Sequence, residues 1–280
     1  MTLNIGDVNR MVVNRKTDIG YMLDLGLEQV FLHNNESLYR ELKAGDTVDA
    51  FLYFDNKGRL AATLKTPLIT INKPGFLRVT DYKEDLGVFF NMGIAKELLL
   101  SYEDLPKDRT KWPKIGDCLY VILKVKSKLV AKIASKQEIL LRPETTLTLK
   151  ETVRGFIQRM GKDGLNILTP DGHWIFVHNT MVKDEVRLGE EVEVKLTFHS
   201  DKGWTGSLME QKEVLIIDDS AKIYDYLCDV DVMPYTSDSD PEDIKRVFNM
   251  SKKAFKRALG HLYKERKIVF EDNMTKRVKK

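Results

Sequence analysis

One phrase recurs three times along this chain: a glycine, an acidic residue and then a run of alternating apolar residues. Its glycines are Gly45, Gly116 and Gly189, which lie 71 and 73 residues apart. A repeat of this length is longer than the roughly 20–50 residues of a solenoid unit and matches a small domain. The sequence therefore predicts three similar domains in tandem.

Two strand-like segments precede each recurring phrase, and a glycine interrupts or begins the first of each pair. The pairs are residues 18–26 and 29–33, 85–93 and 97–101, and 163–168 and 174–178. The second strand of each pair is short and apolar and ends in His or Ser. This order of strands, closed by a long strand and a hairpin, is typical of a five-stranded Greek-key barrel of the oligonucleotide/oligosaccharide-binding type.

Composition excludes several classes of protein. The chain has 280 residues, of which 42% are apolar and 31% charged, as expected for two to four folded domains. No stretch approaches 18 uncharged apolar residues, and the first ten residues lack a cationic and then apolar leader, so we expect a cytoplasmic protein without a membrane partner. Cys118 and Cys228 lack C-x-x-C spacing, and we expect both to be reduced and structural.

Positive charge is concentrated at the C-terminus. Residues 251–280 contain 11 lysines and arginines against three acidic residues, a net charge of +8, whereas residues 1–250 carry 34 against 39, a net charge of −5. A basic end on a mildly acidic body favours a polyanionic partner. A solvated, lysine-rich surface is the alternative interpretation.

The basic end has the pattern of two capped helices. Asp240 and Pro241 suit an N-cap and a first helical position, and Ser251 suits the N-cap of a second helix. One half of this second helix is predicted to be apolar: Ala254, Phe255, Ala258, Leu259, Leu262 and Tyr263. The other half is basic: Lys253, Lys256, Arg257, His261 and Lys264.

Two short strands follow, at residues 267–271 and 275–278, joined by a polar turn. With a further helix predicted near residues 220–228, the order helix, helix, helix, hairpin is that of a winged helix-turn-helix, whose third helix usually contacts nucleic acid. The alternative is a helical hairpin that packs on the barrels through Phe255 and Tyr263.

The residues at this end carry a resemblance to a known family. The chain has three S1-like domains followed by a winged helix that contains residues 239–244 (Ser-Asp-Pro-Glu-Asp-Ile) and 250–268. This combination resembles the bacterial conserved virulence factor B family, and the resemblance covers essentially the whole chain. The resemblance implies a mainly β protein with a C-terminal α+β domain: three S1-like barrels at residues 1–66, 67–142 and 143–212 and a winged helix at 213–280. It also implies an RNA-binding protein that influences gene expression after transcription.

S1 domains resemble one another at a ligand face formed by two aromatics around a glycine turn, a His ending the third strand, and an Asp and an Arg beside the last hairpin. In the first domain the matching positions are Ile19, Met22, His33, Asp55 and Arg59. In the second they are Leu86, Phe89 and Ser101, without the Asp and the Arg. In the third they are Asp163, Asn166, His178, Asp201 and Trp204.

Strand alternation gives a separate prediction of which side chains face outward. The inward set is Val30, Leu32, Leu98, Leu100, Ile175 and Val177. The outward set is Phe31, His33, Leu99, Ser101, Trp174, Phe176 and His178. Exposed aromatics suit stacking on unpaired bases, and the third domain is the best candidate. Alternatively, Trp174 and Phe176 form the contact with a neighbouring domain.

Catalysis is not expected. The chain lacks a phosphate-binding G-x-x-x-x-G-K-[ST] loop, a G-x-S-x-G elbow and an H-E-x-x-H helix. His173 and His178 are five residues apart on one strand and point to opposite faces, so they cannot share a metal. Asp55 and Arg59 suit a hairpin salt bridge or a phosphate contact better than a catalytic pair. We expect no cofactor, no metal and no small-molecule substrate.

Three interpretations remain, and the first is preferred: a monomeric, non-enzymatic protein that binds single-stranded RNA. The second is a transcription regulator whose winged helix binds DNA, and the third is a protein-interaction scaffold with degenerate barrels. The candidate RNA-binding residues are Phe31, His33, Asp55, Arg59, Phe89, Trp174, Phe176, His178, Trp204, Lys253, Lys256, Arg257, His261 and Lys264.

Overall fold

The strands of the first 208 residues close into three barrels. The computed structural model describes residues 3–143, 145–182, 185–201, 203–209 and 211–278, and the chain divides into two compact units, Met1–Leu208 and Met209–Lys280. Barrel 1 consists of β1 (Val8–Thr17), β2 (Gly20–Leu25), β3 (Glu28–His33), β4 (Thr47–Phe54) and β5 (Leu60–Thr63). Barrel 2 consists of β6 (Gly75–Lys83), β7 (Gly87–Asn91), β8 (Glu97–Ser101), β9 (Cys118–Val125) and β10 (Leu129–Ile133). Barrel 3 consists of β11 (Thr152–Met160), β12 (Gly164–Leu168), β13 (Trp174–His178), β14 (Glu191–Ser200) and β15 (Gly203–Ser207).

All three barrels have the same strand order, in which the fifth strand lies between the third and the fourth. The fifth strand runs parallel to the third and antiparallel to the fourth. The residues predicted to face inward are buried in each barrel. The predicted fold of three five-stranded barrels is therefore confirmed.

The recurring glycine phrase is a turn that fastens onto the first strand of its barrel. Gly45 has a φ of +90°, which favours glycine, and its amide donates to the Val13 carbonyl oxygen. The Asp46 carboxylate accepts the Lys43 amide at 2.8 Å and closes the turn. The same two contacts recur in the other barrels, at Gly116 with Asp117 and at Gly189 with Glu190. A turn of this kind explains why the phrase repeats.

The glycine at the start of each second strand is required by a close approach of two backbones. A Cβ added to Gly20 would lie 2.1 Å from the Leu32 carbonyl oxygen, and one added to Gly164 would lie 2.2 Å from that of Val177. Such contacts are far inside van der Waals distance, so no other residue fits without moving a strand.

The three barrels pack on one another within the first unit. Phe51, Tyr53 and Ala61 of barrel 1 join the hydrophobic cluster of barrel 2. Between barrels 2 and 3, Phe76 lies 5.3 Å from Phe156, ring centroid to centroid. Apolar surface that would face solvent in an isolated barrel is therefore buried between neighbours.

The second unit has the order of elements predicted for a winged helix. Its elements are α1 (Gln211–Val230), β16 (Val232–Met233), α2 (Pro241–Phe248), α3 (Lys252–Lys264), β17 (Ile268–Glu271) and β18 (Met274–Arg277). Asp240 and Ser251 cap α2 and α3 as predicted, each accepting a backbone amide. The first helix is longer than the predicted segment near residues 220–228. Among the described residues, no helix is both long and apolar enough to cross a membrane.

Most of the predicted apolar half of α3 lies in the core of the second unit, where Phe255, Ala258, Leu259 and Leu262 are buried. Tyr263 was expected on the same half but is 56% exposed. It lies at the edge of the apolar arc, and its ring stacks on Phe270 of β17 with the centroids 5.5 Å apart. Tyr263 thus has its aromatic contact with the hairpin at the surface and not in the core of the second unit.

Candidate nucleic-acid interface

The polar residue that ends the third strand of each barrel caps a short 3₁₀ turn. His33 Nδ1 accepts the Asn35 amide at 3.1 Å, and His178 Nδ1 accepts the Thr180 amide at 3.3 Å. Ser101 caps the equivalent turn of barrel 2 through its hydroxyl. A neutral imidazole that accepts at Nδ1 carries its proton on Nε2. Both histidines are exposed, so each presents a hydrogen-bond donor at the surface.

The outer surface of barrel 1 is partly covered by barrel 2. Met22 lies opposite Phe31 across the sheet, and Phe31 lies beside Ala61, which in turn pairs with Tyr53. Tyr53 and Ala61 pack into the hydrophobic cluster of barrel 2, and burial raises the pKa of Tyr53 to about 12. Half-buried Phe31 and exposed His33, whose rings meet edge to face with centroids 6.2 Å apart, lie at the surface beside this covered area.

Asp55 and Arg59 form a salt bridge within the β4–β5 hairpin. The Arg59 guanidinium donates to Asp55 Oδ2 from two nitrogens, at 2.9 and 2.7 Å. The backbone amide of Arg59 donates to the other carboxylate oxygen and lowers the pKa of Asp55 most. The Asp55 carboxylate is thus hydrogen-bonded within the turn, whereas the Arg59 side chain is 71% exposed and can still contact a phosphate.

Barrel 2 combines one aromatic ring with several lysines. Phe89 pairs with Leu99, and Lys83 Nζ lies 5.7 Å from the Phe89 ring centroid, within the range of a cation–π contact. Lys124 lies on the fourth strand opposite Val130 and continues this row. Lys126 and Lys128 lie where barrel 1 has Asp55 and Arg59, and the Lys126 amide donates to the Lys128 carbonyl oxygen as the Asp55 amide donates to that of Arg59. The sequence prediction identified Phe89 but missed Lys83 and Lys124.

Barrel 3 carries a continuous row of side chains across its outer surface, and we call it the barrel-3 row. Backbone pairing across the five strands aligns its members: Arg159, Asn166, Phe176, Thr205 and Phe198. Phe198 is 59% exposed, Arg159 is exposed and Phe176 is half-buried. Two aromatic rings with an arginine at one end suit stacking on bases and pairing with phosphate.

Phe198 was missing from the sequence prediction for a physical reason. Strict alternation from Val194 and Leu196 would point Phe198 into the barrel. The register shifts between Leu196 and Phe198, so one extra residue turns Phe198 to the outer surface beside Thr205. A bulge of this kind leaves no clear signal in the sequence.

The two predicted tryptophans of barrel 3 lie outside this row. Trp174 is half-buried and packs against Leu168 and Tyr120 at the junction with barrel 2. Trp204 packs against the core of barrel 3, and its ring lies 4.3 Å from that of His199. The alternative interpretation of Trp174 as an inter-barrel contact thus agrees with its position, and Trp174 also lines a groove between barrels 2 and 3.

The basic half of α3 is a surface of the second unit. Lys253, Lys256, Arg257 and Lys264 are exposed, and none of them forms an ion pair with another described residue. His261 is half-buried, with Nδ1 3.9 Å from the Glu265 carboxylate, and differs from the other four. The stacked pair of Tyr263 and Phe270 adds exposed aromatic surface that the sequence prediction did not include.

Domain models match three parts of the chain: an S1 domain at residues 5–65, the first S1-like domain of CvfB at residues 75–130, and a CvfB-like winged helix domain at residues 221–276. Conserved virulence factor B of Staphylococcus haemolyticus is 36% identical over 261 residues, 90% of this chain and 87% of that protein. The Staphylococcus aureus (strain USA300) protein of the same name is 38% identical over 238 residues, 82% of this chain and 79% of its own length.

The protein YitL of Bacillus subtilis is 36% identical over 269 residues, 94% of this chain and 90% of its own length. A crystal structure of a multidomain protein with nucleic acid binding domains, from Streptococcus pneumoniae, has a TM-score of 0.62 and 27% identity and covers 98% of both chains. The barrels and the winged helix are thus domains of nucleic-acid-binding types.

Proposed function

We propose that this chain, which belongs to the conserved virulence factor B family, is a monomeric, non-enzymatic protein that binds single-stranded RNA in the cytosol and regulates gene expression after transcription. The observation that carries the proposal is the barrel-3 row. Exposed Phe198, half-buried Phe176 and terminal Arg159 present ring faces and a cation along one surface. Bases are available to such rings only where they are unpaired.

The winged helix contributes a second, electrostatic surface. Four exposed cations on one side of α3 are available to a phosphate backbone, which single-stranded and duplex nucleic acids both carry. Preference for RNA over duplex DNA must therefore come from the barrels. We therefore expect base stacking on barrel 3 to determine which type of nucleic acid binds and α3 to determine the salt dependence.

A binding titration with the full chain tests the proposal. We expect tighter binding to a single-stranded oligoribonucleotide than to duplex DNA of equal length, and an affinity that falls steeply between about 50 and 200 mM salt. Equal or tighter binding to duplex DNA would favour a transcription regulator. Failure to bind any homopolymer RNA at low salt would favour a protein-interaction scaffold.

The contribution of α3 is tested by reversing Lys253, Lys256 and Arg257 to Glu. Glutamate forms helices about as well as lysine, so α3 should remain folded. We expect weaker binding to all RNA sequences alike and a shallower salt dependence, because phosphate contacts do not read bases. A matched triple reversal of exposed lysines elsewhere, Lys43, Lys73 and Lys222, gives the same change in net charge and should have a smaller effect.

A further inference from the structure

We propose that the groove between barrels 2 and 3 is a pocket for one unpaired nucleobase and its phosphate, a site separate from the outer rows of the barrels. This inference rests on the proposed function, because it assumes that the bound strand is single-stranded RNA. The groove has a volume of about 440 Å³, which is within the range of small-molecule pockets.

Both barrels line the groove, and each contributes apolar side chains and a cation. Its apolar lining includes Trp174 and Met160 of barrel 3 and Ile133 of barrel 2. Trp174 is buried on one side against the junction cluster, so the remaining part of its ring is held in a fixed position. A flat aromatic surface inside an apolar groove suits stacking on a base.

Two cations border this apolar lining: Lys136 from barrel 2 and Arg159 from barrel 3. Both are exposed, and neither forms an ion pair within the part of the chain that the structure describes. The groove also contains Asp104, but its carboxylate lies 3.4 Å from the Lys132 ammonium, which offsets its charge. The unpaired charge at the groove is therefore positive and suits a phosphate.

The groove is continuous with the barrel-3 row. Arg159 is the first member of that row, opposite Asn166, and it also lines the groove. A strand stacked on Phe176 and Phe198 would therefore reach the groove at Arg159. The next nucleotide would have Trp174 as its stacking partner and Lys136 as its phosphate contact.

The groove is formed before any ligand binds, because hydrogen bonds fix the two barrels on either side of it. Gln158 lines the groove and joins the barrels through the Tyr120 backbone at 3.0 and 2.7 Å. Arg187 of barrel 3 donates to both carboxylate oxygens of Asp117 in barrel 2, at 2.7 and 2.8 Å. A preformed pocket avoids the entropy cost of ordering its walls on binding.

Lys136 belongs to barrel 2, so substituting it tests the pocket without changing the barrel-3 row. We would measure binding of the full chain to an oligouridine of about eight nucleotides, within the site size of one such barrel. Lys136→Glu should weaken binding roughly tenfold, the cost of losing one charged phosphate contact. Lys73→Glu, an exposed lysine outside the groove with the same charge change, should weaken it less than about twofold.

A cross-linking experiment on the unaltered protein locates the base directly. An oligouridine carrying 5-bromouridine would be irradiated in complex with the chain and the cross-linked peptides identified by mass spectrometry. We expect a cross-link at Trp174 that disappears with excess unlabelled RNA. Cross-links at Phe176 and Phe198 alone, with Lys136→Glu and Lys73→Glu binding alike, would overturn the pocket while leaving RNA binding by the row intact. Failure of the unaltered chain to bind the oligouridine would overturn the proposed function together with the pocket.

Discussion

Gln158 fastens barrel 3 to barrel 2 and gives the sharpest test of how the first unit is held together. Its side chain is completely buried. Its Oε1 accepts the Tyr120 amide at 3.0 Å, and its Nε2 donates to the carbonyl oxygens of Tyr120 at 2.7 Å and Ala134 at 3.3 Å. A single side chain therefore satisfies three backbone groups of the neighbouring barrel.

Replacing Gln158 with alanine affects the three backbone groups differently. The Tyr120 carbonyl oxygen keeps the Ala134 amide at 3.1 Å. The Tyr120 amide loses the acceptor, and the Ala134 carbonyl oxygen the donor, that Gln158 provides. A buried polar group without a partner costs about 1–3 kcal/mol, and the new space can admit a water that recovers part of this loss. We expect Gln158→Ala to destabilise the first unit by about 2–4 kcal/mol.

Thermal unfolding with amide hydrogen exchange measures this effect. For a unit of this size the loss corresponds to a fall of about 4 to 16 °C in the melting temperature. Exchange at the Tyr120 amide should accelerate more than exchange in barrel 1. Gln137→Ala, the same change at an exposed position of barrel 2, is the control and should stay within about 0.5 kcal/mol. A Gln158→Ala variant as stable as this control, with Tyr120 still protected, would refute the argument.

Two further predictions concern the cysteines and the glycines. Burial raises the pKa of the Cys118 thiol to about 11, and the thiolate is the reactive form. At pH 8 an alkylating reagent should therefore modify exposed Cys228 in the native protein and Cys118 only after unfolding. Equal rates for the two cysteines would contradict the buried position of Cys118. Gly164→Ala should destabilise the chain by about 2–4 kcal/mol in chemical denaturation, because the added Cβ would meet the Val177 carbonyl oxygen. Gly260→Ala, in open space on α3, should stabilise the chain by about 0.5–1 kcal/mol. Equal effects of the two substitutions would contradict the close approach of the strands at Gly164.

The fold was predictable because its determinants are local and repeated. The phrases at Gly45, Gly116 and Gly189 are turns that close on the first strand of each barrel, and each turn uses a glycine followed by Asp or Glu. Alternation along β3, β8 and β13 separated buried from outward residues correctly, since these strands contain no bulge. The caps of α2 and α3 were equally local.

The candidate site was less predictable because it depends on bulges and on packing between barrels. Phe198 faces outward only because of a register shift, and Trp174 lies in the groove only because barrel 2 covers its neighbours. Tyr263 lies at the surface, at the edge of the apolar arc of α3, and stacks on Phe270 of β17. These positions depend on a bulge and on packing between elements, which alternation and helical periodicity do not represent.

The bulge in the first strand of each barrel provides a different contact in barrel 3 from those in barrels 1 and 2. The extra residue is Asn14 in barrel 1, Thr80 in barrel 2 and Gln158 in barrel 3. Because a bulged residue lies outside the regular ladder, its side chain is available for other contacts. Asn14 bonds to Asp24 and Thr80 to Glu97, each within its own barrel, whereas Gln158 of barrel 3 bonds to Tyr120 of barrel 2. The long amide side chain at this position thus joins barrels 2 and 3 and, one residue before Arg159, forms the groove where the barrel-3 row ends.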